Sequence, residues 1–126
     1  MSRVGPPRRI SEAEFESCVE EALASVPADF RKYLGNVVVV VEEEPSQEDF
    51  DESDTPDEEE LFGIFRGVPF FDRPAMVSAL PAQIAIFRGP ILRLCETRGE
   101  AVREIRDTVV HEVGHMLGLE DEEMPY

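Results

Sequence analysis

An α+β domain, with a small mixed β-sheet packed against an N-terminal helix and a long helix near the C-terminus, is the fold class this sequence predicts. Three observations point there. Ser11 and Thr97 each stand three residues before a glutamate, Glu14 and Glu100, and each such capping box opens a run of apolar residues at helical spacing. Five consecutive valines at 37–41 are β-branched and do not alternate with polar residues, which is the pattern of a buried strand. Two further segments, 61–66 and 83–88, are apolar and aromatic and share the string Ile-Phe-Arg-Gly. A chain of 126 residues has room for one such domain.

Residues 1–10 carry Arg3, Arg8, Arg9 and two prolines but no apolar stretch, so they read as a flexible tail rather than a signal peptide and place the domain at 11–126. The expected location is the cytoplasm. Helix one follows over 12–25, with Phe15, Val19, Ala22 and Leu23 on one face, and Pro27 closes it. Residues 28–34 predict a short second helix capped by Gly35. The valine strand, apolar on both faces, is expected to be innermost. From 42 to 60 the chain has twelve acidic residues, no basic one and a single aromatic, so self-repulsion predicts a mobile acidic loop. Strands at 61–66 and 83–88 flank an irregular loop, 68–81, with prolines at 69, 74 and 81 and a surface arginine, Arg73. A helical turn over 91–96 leads into the long helix, 98–117.

The formal charge of −16 comes mostly from the acidic run; take its twelve carboxylates away and the rest of the chain carries only −4. No basic face stands out, which argues against nucleic acid as a partner. No apolar run is long enough to span a membrane. Cys18 and Cys95 are too few for a disulfide framework and lack metal-motif spacing, so both are expected in the core.

The long helix carries the chain's only two histidines, His111 and His115, four residues apart with Glu112 between them. Residues four apart share a helix face, so two imidazoles there can direct one nitrogen each at a single ion: the HExxH zinc pattern. Apolar Val102, Ile105, Val109, Val113, Met116 and Leu117 centre on the other side, so packing alone does not account for the histidine pair. Glu112 lies about 100° around the helix from His111, where it reaches a metal-held water rather than the ligand plane, as a general base does. Gly118 predicts a left-handed cap that turns the chain so that Glu120 or Asp121 returns to the metal.

The string HEVGHMLGLED resembles the extended zincin motif HExxHxxGxx(H/D) of metzincin-like metallopeptidases, and ELFGIFRGVP and QIAIFRGPILR resemble segments of the small mini-zincin domains. The resemblance covers most of 11–126. It implies a zincin-like fold and a zinc-dependent metallopeptidase with one Zn²⁺ per chain, bound by His111, His115 and Asp121, with Glu112 as catalytic base. It also implies a peptide or protein substrate that adds to a sheet edge along the cleft; either short strand, 61–66 or 83–88, is a candidate for that edge, with 83–88 slightly favoured because it precedes the site helix. Met124-Pro125-Tyr126 resembles the metzincin methionine turn and its following tyrosine, which makes Tyr126 a candidate transition-state stabiliser, although Met124 stands only three residues after Asp121. The alternative function is a zinc-binding regulatory or interaction domain with little or no hydrolysis.

Overall fold

The computed structural model describes residues 10–53, 59–67 and 82–119. Helix α1, Glu12–Ala24, starts where the capping box places it: the Ser11 hydroxyl accepts the Glu14 N–H at 3.1 Å. It buries Phe15, Cys18, Val19 and Ala22 against the long helix. The expected helix over 28–34 is divided, with α2 at Ala28–Arg31 and a separate 3-10 turn at Leu34–Asn36 that includes Gly35.

Among the described residues three strands form one mixed sheet. Strand β1, Val37–Glu42, runs parallel to β3, Ala82–Phe87, and β2, Gly63–Arg66, pairs antiparallel with β3 on its other side. The order β1-β3-β2 makes β3 central, which corrects the expectation that the valine strand is innermost. β1 lies at an edge with Val38 45% exposed, whereas Ile84, Ala85, Ile86 and Phe87 of β3 are fully buried. β-Branching explains why valines extend, but not which strand has two neighbours.

The two faces of β3 feed two cores. Ile84 and Ile86 join Phe15, Ile105, Val109 and Val113 in the main core, while Ala85 and Phe87 meet Leu61 and Ile64 in a smaller one. Over 42–53 the acidic run is not the mobile loop that its charge predicts; residues 54–58 lie outside the described residues. Its middle forms helix α3, Gln47–Ser53, opened by a reciprocal capping box in which Ser46 Oγ accepts the Asp49 N–H at 3.2 Å and Asp49 accepts the Ser46 N–H at 2.9 Å. Phe50 of this helix packs onto the smaller core. Arginines from distant segments answer the charge: Arg66 forks onto Glu42 and also holds Asp49, and Arg93 forks onto Glu44 and Glu60. Self-repulsion is a local argument, and these partners lie 17 to 49 residues away.

Helix α4, Arg88–Leu94, follows β3 directly and buries Ile91 and Leu92. Helix α5, Arg98–Met116, begins at Thr97, whose hydroxyl accepts the Glu100 N–H at 3.1 Å. Glu100 itself reaches back to the Glu96 N–H at 2.6 Å, one residue before the cap. Cys18 and Cys95 are free thiols buried in the main core; burial raises both, Cys95 to about 11. No helix among the described residues is long and apolar enough to cross a membrane.

Candidate functional site

The site forms where β2 crosses the polar face of α5. Gly63 makes that crossing close: a Cβ there would lie 2.6 Å from Thr108 Cγ2 and 2.8 Å from the Ala85 carbonyl oxygen. With no side chain at 63, Thr108 is buried beneath the strand. The helix carries His111 half-buried and His115 exposed, one turn apart, with ring centroids 6.3 Å apart and planes at 69°.

His111 Nδ1 lies 2.9 Å from the Asp107 carbonyl. A carbonyl oxygen only accepts, so in the neutral ring this contact selects the tautomer with the proton on Nδ1 and the lone pair on Nε2. Zinc–nitrogen bonds of about 2.1 Å at tetrahedral angles set two ligating rings about 5 Å apart, centre to centre. The observed 6.3 Å is wider than that, and the donor chemistry, two imidazoles one turn apart on one helix, is of the kind that holds zinc. Among the described residues no three His, Cys, Asp or Glu side chains form a metal-holding group. The expected third ligand, Asp121, lies outside the described residues, as do Glu120, Met124, Tyr126 and Arg73.

The chain's route towards Asp121 is visible up to Leu119. Gly118 has φ 82°; its N–H donates to the His115 carbonyl at 3.0 Å, and the Leu119 N–H donates to the Gly114 carbonyl at 2.9 Å. Those two bonds make a Schellman cap, and the left-handed glycine is the residue such a cap uses. The helix therefore stops immediately after the histidine pair.

Glu112 is 16% exposed and lines two clefts. The one on the His111 side, about 370 Å³, is walled by Glu60, Leu61, Glu104, Asp107 and Thr108. The other, about 280 Å³ on the His115 side, has Leu61, Ile64 and Met116 with Glu52 of α3. Burial holds the Glu104 carboxyl above its ordinary value, partly offset by a 3.3 Å hydrogen bond from the Thr108 hydroxyl. Glu112 Oε1 accepts the backbone N–H of Phe65 at 2.8 Å, and Oε2 stands 3.6 Å from His115 Nδ1.

That contact identifies the strand at the site as β2. Of the two segments that are candidates from sequence, 83–88, the slightly favoured one, is the central strand and has no free edge, and the edge belongs to the other, 61–66. The participation of Phe65 carries no side-chain signature, because its contribution is an amide. The capping box of α3, Ser46 with Asp49, was legible as a pattern but hidden by the surrounding charge.

A family model described as zincin-like metallopeptidase matches residues 34–126, from the 3-10 turn before β1 through the histidine helix. The chain belongs to the zincin-like metallopeptidase family. Among solved structures, a conserved hypothetical protein from Thermo thermophilus is similar in fold, with a TM-score of 0.58 and 24% identity over 86% of this chain and 94% of that one. No curated protein matches the chain. Helix α1 precedes the segment that the zincin-like model matches, yet it packs along α5 and so backs the helix that bears the histidines.

Proposed function

We propose that this chain is a zinc-dependent metallopeptidase that hydrolyses peptide bonds in a peptide or protein substrate. The observation that carries the proposal is the arrangement of Glu112 between two clefts, one helical step from His111 and 3.6 Å from His115, in a member of the zincin-like metallopeptidase family. His111 through Nε2, His115 and Asp121 would hold the ion. When bound, zinc supplies a Lewis acid that brings the pKa of a coordinated water toward about 7 and polarises a carbonyl.

The rest is work for the chain's own residues. The Asp107 carbonyl fixes the His111 tautomer and ring orientation. Glu112 takes a proton from the attacking water and delivers it to the departing amine. β2 offers a short edge against which an extended peptide lies, and the clefts on either side of Glu112 receive side chains flanking the bond to be cut. Tyr126 is the proposed stabiliser of the developing oxyanion, on the likeness of Met-x-Tyr to the family's motif alone.

The test is elemental analysis of the purified full chain together with digestion of a mixed peptide library, for the parent and Glu112→Gln. The expected result is zinc in both proteins, cleavage by the parent, and cleavage reduced by at least about a hundredfold in the variant, in which an amide cannot take the proton. Zinc without cleavage by the parent would favour a zinc-binding regulatory domain; loss of zinc from Glu112→Gln would make Glu112 a ligand and refute the mechanism.

A further inference from the structure

Among the described residues strand β2 has one edge unpaired with another strand, and the hydrogen-bond register says which amides face it. The Phe87 N–H donates to the Phe62 carbonyl at 2.9 Å, and Ile64 and Arg66 stand opposite Ala85 and Gln83. Hydrogen-bonded pairs alternate in an antiparallel ladder, so residues 62, 64 and 66 bond to β3 and Phe65 turns its N–H outward. An outward amide on an edge strand ordinarily meets water or another strand. This one meets Glu112 Oε1 at 2.8 Å, across 47 residues of sequence.

We infer that the Phe65 amide is a positioning group for Glu112: it holds Oε1 against the sheet edge and leaves Oε2, on the His115 side, as the oxygen that receives the proton. The inference rests on the peptidase proposal for the role of Glu112, but its geometry stands independently. A glutamate side chain has several rotors, and a carboxylate free to turn spends most of its time away from the reacting water. A backbone donor removes that freedom without occupying a side chain, and the strand that supplies it is brought close enough by Gly63. The same bond takes the Phe65 N–H out of the set available to a peptide lying along β2.

The test exchanges one group in the full-length chain. Phe65→phenyllactate replaces the N–H with an ester oxygen and keeps the ring. Three-bond couplings should place Glu112 in one χ1 rotamer in the parent and show averaging in the ester variant, with zinc added or withheld. Turnover should fall about ten- to a hundredfold in kcat with KM within about twofold, the split expected of a misplaced base rather than a lost binding contact. As a second measurement, Glu112→Ala should speed hydrogen exchange of the Phe65 amide by at least about tenfold, while the amides of Ile64 and Arg66, bonded to β3, keep their protection. A single Glu112 rotamer in the ester variant, parent-like kcat in that variant, or unchanged Phe65 exchange in Glu112→Ala overturns the inference. If the parent hydrolyses nothing, the peptidase proposal falls, and the rotamer and exchange measurements still decide whether Phe65 orients Glu112.

Discussion

Asp49→Ala puts the architecture of the acidic run to a quantitative test. The Asp49 side chain is 7% exposed; Oδ1 accepts from Arg66 Nε at 3.2 Å and Nη2 at 3.0 Å, and Oδ2 from the Ser46 N–H at 2.9 Å and the Ser46 hydroxyl at 3.1 Å. Truncation removes the reciprocal half of the α3 capping box, while Ser46 Oγ keeps the backbone N–H of residue 49, a loss of up to about 1 kcal/mol, and one partner of a largely buried ion pair, for which about 3–5 kcal/mol is usual. The second figure needs discounting, because Arg66 is 29% exposed and retains its fork on Glu42 and its bond to Gln83. A loss of about 2–3 kcal/mol remains, which for a chain of this size lowers Tm by about 6–12 °C. Glu48→Ala, at an exposed position of the same helix, should stay within about 0.5 kcal/mol of the parent. Acid sharpens the comparison. Burial alone would raise the Asp49 pKa, but the Ser46 and Arg66 hydrogen bonds outweigh it and the carboxyl sits below its ordinary 3.8; Arg66 likewise holds Glu42 below 4.5. A depressed carboxylate stabilises the fold above its ordinary value and loses that contribution as pH falls through the folded one, so parent Tm should drop from about pH 5 downward and Asp49→Ala should drop less steeply. Thermal unfolding followed by circular dichroism reads all three proteins. Equal melting of Asp49→Ala and Glu48→Ala at pH 7 would mean that the run is not anchored through Asp49.

Two further substitutions probe the two sides of the site. Gly63→Ala should destabilise by about 1–3 kcal/mol and lower peptide hydrolysis, because its methyl meets both Thr108 Cγ2 and the Ala85 carbonyl; adding Thr108→Ser should recover only part of the stability, since the backbone clash stays, and full recovery would refute the packing argument. Asp121→Ala should weaken zinc retention by about tenfold or more, as loss of one of three protein ligands does, while Glu120→Ala retains zinc like the parent. Zinc titration that ranks those two variants in the opposite order would move the third ligand to Glu120.

The helix-borne half of the site is legible in the sequence because helical geometry is local. His111, Glu112 and His115 hold their relations through the 3.6-residue repeat, Thr97 announces the start of α5, and Gly118 announces its end. The sheet is less legible. Val37 to Val41 and Ile84 to Phe87 are similar apolar runs, and whether either takes one neighbour or two depends on chain crossings that neither run encodes. The acidic run shows the same limit through charge. Its own residues repel, but Arg66 and Arg93, which lie outside it, supply forked donors at the positions where Glu42, Asp49, Glu44 and Glu60 arrive.

Those long-range pairs also bear on how so small a domain shapes a cleft. Arg66 belongs to the same strand as Gly63 and Phe65, so the ion pairs that hold α3 over the smaller core also fasten β2 at its far end. Gly63 seats the near end of β2 on Thr108, and Phe65 between them meets Glu112. The short strand thus ties the acidic helix, the sheet and the histidine helix together, with Glu52 and Ser53 of α3 at the wall of the His115-side cleft. Loosening α3 should therefore be felt at Glu112 through β2, even though the ion pairs that hold it are made by the strand's last residue and not at the site.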